Sequence, residues 1–198
     1  KLGSNEARRW TVKPTDADVG DHPLAITVKD ASGKVLEQGK TTLHISPRKA
    51  GADKILRLLI VGDSLTHATV YSNEIANLLS RPGNPKWTML GTHKPASALP
   101  GVVHEGYGGW AWATFLTKFT PETPGVTAGP LARKATSPFI FPSADGKTGV
   151  FDLNRYFAEH CDNQPPDVVT FLLGINDCFG ADPTKPDPTI NSVLDHAD

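Results

Sequence analysis

The segment from Ile55 to Val61 constrains the fold of this chain more than any other feature. It is an almost continuous apolar run, interrupted only by Arg57. Such runs are typical of strands that are buried on both faces of a parallel sheet. A second run, Val168 to Leu173, has the same character, and amphipathic helical patterns lie between the two. Strands that alternate with helices predict an open α/β sheet.

Four apolar stripes with the spacing of a helix support this fold class. They are Tyr71, Ile75, Leu78 and Leu79; Trp112, Phe115, Leu116 and Phe119; Leu153, Tyr156, Phe157 and His160; and Ile190, Val193, Leu194 and Ala197. Trp87–Leu90 predicts a further strand. The last stripe follows Asp187-Pro188, an N-cap and a proline at the first helical position. Because this helix has no stop signal, and because three parallel strands leave a bare edge, we expect the natural polypeptide to continue.

Residues 1–50 follow a different pattern and form a separate part. Leu24–Val28 and Thr41–Ile45 alternate apolar with polar or small residues, as half-buried strands do. The turn sequence Asp30-Ala31-Ser32-Gly33 lies between them. We therefore expect a small antiparallel β module, part of a β-sandwich, in residues 1–50. A linker follows at Pro47–Asp53, and residues 51–198 hold the α/β domain, which we expect to be C-terminally incomplete.

Composition and motif content exclude several functional classes. The chain carries 20 Lys and Arg against 21 Asp and Glu, for a formal net charge of −1, so we expect no nucleic-acid partner. No apolar run approaches the ~18 residues of a membrane span. Cys161 and Cys178 flank a predicted strand roughly 20 Å long, which predicts two free thiols. No metal-ligand spacing or phosphate loop occurs, so we expect neither a metal nor any other cofactor.

Three short motifs lie where predicted strands end. They are Gly62-Asp63-Ser64-Leu65, the string from His104 to Trp110, and Gly174-Ile175-Asn176-Asp177. Ligands of open α/β sheets bind beyond the carboxyl ends of the strands. A serine hydroxyl there, beside N–H donors, suits acyl chemistry because the donors stabilise a developing oxyanion. Each motif by itself also fits a structural role, as a helix cap, a glycine turn and an Asx turn respectively.

In this order the three motifs resemble the SGNH hydrolases, also called the GDSL lipase and esterase family, over residues 54–180. The resemblance implies a flavodoxin-like three-layer α/β/α fold with a parallel sheet. It implies that Ser64 is the nucleophile and that the Gly109 N–H and the Asn176 amide hold the oxyanion. The His-Glu-Gly-x-x-Gly-Trp string is similar to that of acetylxylan-esterase-like members, which act on carbohydrate acetyl esters.

One element of that family is absent from the chain. No Asp-x-x-His string, the block that supplies the base and its orienting acid, occurs in the sequence. Asp195-His196 has the wrong spacing, and we expect His196 to be a solvated helix residue. The resemblance therefore implies a histidine base beyond residue 198. His67, three residues after Ser64, is an alternative base, and His104 is a less favoured one.

The resemblance predicts a secreted or periplasmic serine esterase that hydrolyses short-acyl esters, acetyl esters on carbohydrate in particular, through an acyl-enzyme. The rings of Tyr107 and Trp110 beside the site are candidates for stacking on sugars. We expect Glu105 to be a structural hydrogen-bonding group, and Asp63 and Asp177 to organise loops. Two alternatives stay open, a non-catalytic carbohydrate-binding protein on a hydrolase fold and a lipid acylhydrolase.

Overall fold

The computed structural model describes residues 2–7, 9–121 and 136–197. The chain divides into two compact units, Lys1–Asp53 and Lys54–Asp198. The first unit contains two antiparallel pairs of strands, β1 (Ser4–Asn5) with β2 (Trp10–Thr11), and β3 (Gly20–Lys29) with β4 (Val35–Ile45). The predicted hairpin is thereby confirmed. Among the residues described in this unit, the strands form two separate two-stranded sheets rather than a β-sandwich.

The hairpin turn is held by its first residue, as the turn sequence predicts. Asp30 Oδ1 accepts hydrogen bonds from the backbone N–H groups of Ser32 and Lys34, at 2.9 and 3.0 Å. These bonds lower the pKa of the Asp30 carboxyl, together with the Ser32 hydroxyl, which is the largest cause. Ile26 in the middle of β3 is 62% exposed, because a two-stranded ribbon has no second layer to cover it.

The second unit alternates strands and helices. In chain order its elements are β5 (Ile55–Gly62), α1 (Ser64–His67), α2 (Val70–Leu79), β6 (Lys86–Leu90), β7 (Glu105–Gly106), α3 (Trp112–Thr117), β8 (Ile140–Pro142), β9 (Gly149–Phe151), α4 (Leu153–His160), β10 (Val168–Leu172), α5 (Ile175–Cys178) and α6 (Asp187–Ala197). The strands and helices expected from the apolar runs and stripes are all present, within a few residues of their predicted ends. The unit is a mixed α/β structure, with β8 and β9 forming a small antiparallel pair.

The main sheet is parallel and is built around β5. β10 pairs with one edge of β5, and β6 pairs with the other, over Ile55–Leu59. The chain then leaves the sheet at residue 91 and returns to the same edge as β7, which pairs with Val61 and Gly62. The 91–104 segment is closed by two backbone hydrogen bonds between His93 and His104, of 3.0 and 3.1 Å.

Each face of β5 belongs to its own core. Leu59 and Val61 pack in a largely aromatic cluster with Leu90, Tyr107, Trp110, Phe115, Phe139, Phe141, Tyr156 and Cys161. Leu58 and Ile60 pack on the opposite face with Ala76 of α2, Met89 and Val102. This burial on both faces is what the apolar run predicts, and it makes β5 the rigid support for the residues that follow it.

Several sequence predictions concern single side chains. Cys161 and Cys178 are both free thiols, the first buried and the second exposed, as predicted. His196 is not a solvated residue, because it is half-buried and its Nδ1 atom is fully enclosed. Within the described parts of the chain, no helix has the length and apolar character needed to cross a membrane.

Candidate active site

The carboxyl ends of three strand segments lie at one level of the sheet. Gly62, the last residue of β5, is in register with Leu172 of β10 on one side and with Gly106 of β7 on the other. The first sequence motif begins at Gly62, the second contains Gly106, and the third begins two residues after Leu172. The parallel pairing therefore brings residues that are about 110 positions apart in the chain to one edge.

Gly62 and Asp63 shape the turn that leads into Ser64. A Cβ atom at Gly62 would lie 1.9 Å from Thr66 Oγ1, so only glycine fits there. Asp63 is fully buried and caps α1, with its Oδ1 accepting the N–H of Leu65 at 2.9 Å. Ser64 begins α1 and is exposed. Its hydroxyl makes no hydrogen bond with any described residue, so it is open to an incoming ligand.

The second motif forms a tight turn over the end of β5. Tyr107 N–H donates to the carbonyl of Gly62 at 3.0 Å, and Trp110 N–H donates to the carbonyl of Tyr107 at 3.2 Å. Gly109 within this turn has a φ of 75°, a left-handed conformation that favours glycine. The N–H of Gly109 has no hydrogen-bond acceptor among the described residues. It is therefore available as a donor.

Asn176 connects the third motif to the other two. Its Nδ2 atom donates to the carbonyl of Trp110 at 2.8 Å and lies 3.4 Å from Asp63 Oδ2. The first contact is a normal hydrogen bond, whereas the second is long and weak. One amide hydrogen therefore fixes the side chain, and the second is only loosely held. The neighbouring Asp177 carboxylate accepts the N–H of Trp112, at 3.2 Å from Oδ1, at the start of α3.

The structure brings three of the residues expected to form the site together and buries the other two in the core. Ser64, Gly109 and Asn176 belong to three segments that contact one another at the same edge. Tyr107 and Trp110, the candidates for sugar stacking, are each only 1% exposed and belong to the aromatic core. A ring that stacks on a sugar needs an open face, so these two rings offer none. Their ring centroids lie 4.4 Å apart, which shows that they pack on each other.

Glu105 is the centre of a buried hydrogen-bond network beneath the Tyr107–Trp110 turn. It is fully buried, and its carboxylate accepts hydrogen bonds from the Thr92 N–H at 2.6 Å, the Thr92 hydroxyl at 3.1 Å, the Tyr156 hydroxyl at 2.8 Å and the Tyr107 hydroxyl. Burial, reinforced by the Glu105 charge, raises the pKa of both tyrosines. The expectation that Glu105 is a structural hydrogen-bonding group is confirmed, but the sequence gives no signal for its partner Tyr156.

A cluster of three histidines lies beside α1 and was not predicted. His67 Nδ1 and His93 Nε2 are 2.9 Å apart, and their rings stack with centroids 5.1 Å apart. His104 is fully buried, and its Nδ1 accepts the N–H of Gly106 at 3.0 Å. Burial, with smaller effects of His93 and His67, lowers the pKa of His104 to about 3. The His104 ring is therefore neutral near pH 7, and it takes up a second proton only in strongly acidic solution.

Across the described ranges, no group of three or more His, Cys, Asp or Glu side chains is arranged to hold a metal ion. A comparison of the chain with known protein families, curated proteins and solved structures finds no match. The geometry of the site and the sequence motifs are therefore the observations that bear on the function of this chain.

Proposed function

We propose that this protein is a serine ester hydrolase of the SGNH type, with a flavodoxin-like three-layer α/β domain. One observation carries the proposal. The Asn176 amide bridges the Trp110 carbonyl and the Asp63 carboxylate, and so joins the segment of Gly109 to the segment of Ser64. The Ser64 hydroxyl and the Gly109 N–H, neither of which has a hydrogen-bond partner among the described residues, therefore lie at the same edge as the loosely held amide hydrogen of Asn176. A helix cap, a glycine turn and an Asx turn that served structure alone would not need to leave a hydroxyl and a backbone N–H without described partners at that edge.

The proposed reaction proceeds through an acyl-enzyme. Ser64 Oγ attacks the ester carbonyl carbon, its proton passes to a histidine base, and the carbonyl oxygen becomes an oxyanion. The N–H groups of Ser64 and Gly109 and the second hydrogen of Asn176 Nδ2 donate to that oxyanion. Collapse of the intermediate breaks the C–O bond, and the alcohol leaves with the proton from the base. Water then attacks the acyl group in the same way and releases the carboxylic acid.

The base is the part of this mechanism that the described residues do not supply. No described side chain is hydrogen-bonded to Ser64 Oγ, and an unassisted serine hydroxyl is a poor nucleophile. His67 is three residues from Ser64, but its Nδ1 is engaged with His93. The proposal therefore requires a histidine to reach Ser64 from outside the described contacts, with His67 Nε2 as the alternative.

The substrate we propose is a short-acyl ester, an acetyl ester of a carbohydrate in particular, processed outside the cytoplasm. This choice is supported by the His-Glu-Gly-x-x-Gly-Trp string alone, since the rings of Tyr107 and Trp110 are buried. A second candidate is hydrolysis of longer acyl esters; a cavity of about 290 Å³ between the sheet and α3 has the apolar character that a long acyl chain needs, but Ser64, Gly109 and Asn176 do not line it. Its lining is largely apolar and includes Trp112, Phe115 and Phe171.

The deciding experiment measures hydrolysis of p-nitrophenyl acetate and p-nitrophenyl octanoate by the full-length natural protein and its Ser64→Ala variant. We expect Ser64→Ala to lower kcat for the acetate by at least about 10³-fold, as loss of a catalytic serine does. Ser32→Ala, in the hairpin turn of the first unit, is the matched control and leaves the rate unchanged.

Each other outcome has a definite meaning. Equal rates for the wild type and Ser64→Ala would reject the catalytic serine. Preference for the octanoate, again dependent on Ser64, would replace the short-acyl assignment with the long-acyl one. Binding of acetylated xylan by both proteins without hydrolysis would identify a carbohydrate-binding protein on this fold.

A further inference from the structure

The Tyr107–Trp110 turn has two functions in the proposed site, and both depend on contacts that hold the turn in position. It presents the N–H of Gly109, and its Trp110 carbonyl holds Asn176 Nδ2 at 2.8 Å. Two of the three proposed oxyanion donors therefore depend on where this turn lies. Its internal hydrogen bond, from Trp110 N–H to the Tyr107 carbonyl, is 3.2 Å long and cannot fix the turn relative to the rest of the domain.

We infer that Glu105 is a positioning residue for the oxyanion hole, because its buried carboxylate holds Tyr107 and thereby places the turn. The inference rests on the proposed function. The N–H of Tyr107 donates to the carbonyl of Gly62 at the end of β5, and its hydroxyl donates to Glu105. Glu105 is itself fixed, since it belongs to β7 and pairs with Val61 in the parallel sheet.

The other bonds to Glu105 explain why a carboxylate is needed at this point. Thr92, at the start of the 91–104 segment, donates through both its N–H and its hydroxyl. Tyr156, on α4, donates its hydroxyl at 2.8 Å. A carboxylate has acceptor sites for all four donors, whereas a glutamine would turn an NH₂ group toward some of them. Hydrogen bonds to a buried charged acceptor are also stronger than those between neutral groups.

Tyr107 and Tyr156 make a matched pair for testing this inference. Both are buried, both donate a hydroxyl to Glu105, and phenylalanine removes one hydroxyl from each. Tyr107 belongs to the turn, whereas Tyr156 connects the carboxylate to α4. If Glu105 only stabilised the fold, the two substitutions would affect the reaction alike. If Glu105 places the turn, Tyr107→Phe has the larger effect on the reaction.

The test measures kcat and KM for p-nitrophenyl acetate with the full-length protein and the variants Glu105→Gln, Tyr107→Phe and Tyr156→Phe. We expect Glu105→Gln and Tyr107→Phe to lower kcat at least about tenfold, with KM changed less than about threefold, because the donors act on the transition state. The factor by which Tyr156→Phe lowers kcat should be at least about fivefold smaller than the factor for Tyr107→Phe. Glu159→Gln, an exposed acid on α4 paired with Arg155 at 2.6 Å, is the control and changes neither constant.

A second measurement does not depend on activity. Amide hydrogen exchange of the Trp110 N–H, followed by NMR, reports directly on the turn. We expect Tyr107→Phe to accelerate this exchange relative to the amides of β5, and Tyr156→Phe to leave that ratio unchanged. This comparison and the phenylalanine pair still decide the question if Glu105→Gln does not fold.

The results separate the inference from the proposed function. Equal loss of kcat in the two phenylalanine variants, or a loss confined to KM, overturns the inference while Ser64-dependent hydrolysis still supports the function. If Ser64→Ala keeps the wild-type rate, the proposed function fails. An unchanged exchange ratio for Trp110 in Tyr107→Phe overturns the inference whatever the activity.

Discussion

The buried histidine beneath the site makes a quantitative prediction about acid stability. The pKa of His104 is lowered from 6.5 to about 3, chiefly because burial disfavours its charged form. Between these two values the unfolded chain binds a proton that the folded chain does not bind. Folding stability therefore falls as the pH falls from 6.5 toward 3, at about 1.4 kcal/mol per pH unit. At pH 4.5, two units below 6.5, the titration of His104 alone lowers the free energy of unfolding by about 3 kcal/mol.

The variant His104→Asn isolates this contribution. Asparagine does not titrate, and its Oδ1 is suited to accept the Gly106 N–H that His104 Nδ1 accepts at 3.0 Å. The substitution also removes buried ring contacts, so the variant is expected to be less stable than the wild type at pH 7.5. The prediction concerns the difference in free energy of unfolding between the two proteins, which should shrink by about 3 kcal/mol when the pH is lowered to 4.5.

Urea denaturation at pH 7.5 and 4.5, followed by tryptophan fluorescence, measures this difference. His160→Asn, at an exposed histidine on α4, is the control and should follow the wild type at both pH values. An equal loss of stability on acidification in the wild type and His104→Asn would refute the reasoning. A second refutation would be an NMR titration of the folded protein in which the His104 ring protons shift with a midpoint near 6.5.

Two further predictions test the packing around the site. Gly62→Ala should destabilise the domain by about 3 kcal/mol in urea denaturation, because the added Cβ would lie 1.9 Å from Thr66 Oγ1. The double variant with Thr66→Ala should recover part of this loss, and full stability of the single variant would contradict the contact. Exposed Cys178 should react rapidly with a thiol reagent such as Ellman's reagent, whereas Cys161, whose burial raises its thiol pKa, should react only on unfolding. Labelling of both thiols at the same rate in the folded protein would contradict this prediction.

The sequence predicts the framework of the site well, for a physical reason. Apolar runs and helical stripes are local patterns, and they locate the strands and helices directly. Parallel strands place their carboxyl ends at one edge, so motifs that follow β5 and β10 must lie near each other once both are strands of one sheet. The approach of Asn176 to the segments of Ser64 and Gly109 could therefore be predicted without knowing any contact.

The details that were wrong or missed depend on contacts between distant residues. The string from His104 to Trp110 predicts a glycine turn whose Tyr107 and Trp110 rings can stack on a sugar. Both rings are instead buried, and Phe115 packs beside them with centroids 6.1 and 4.8 Å away. Glu105 accepts a hydrogen bond from Tyr156, which lies 51 positions further along the chain. No periodicity or spacing records such a pairing, so these contacts became visible only in the structure.

The burial of the two apolar strands also depends on contacts that their own sequences do not record. β5 and β10 have equivalent sequence patterns, and both were expected to be buried on both faces. Ile60 in β5 has no exposed surface, whereas Phe171 in β10 is 53% exposed. The difference arises because a core cluster covers each face of β5, whereas neither cluster includes a residue of β10. An apolar run predicts that a strand can be buried on both faces, and the side chains that other elements pack on each face decide whether it is.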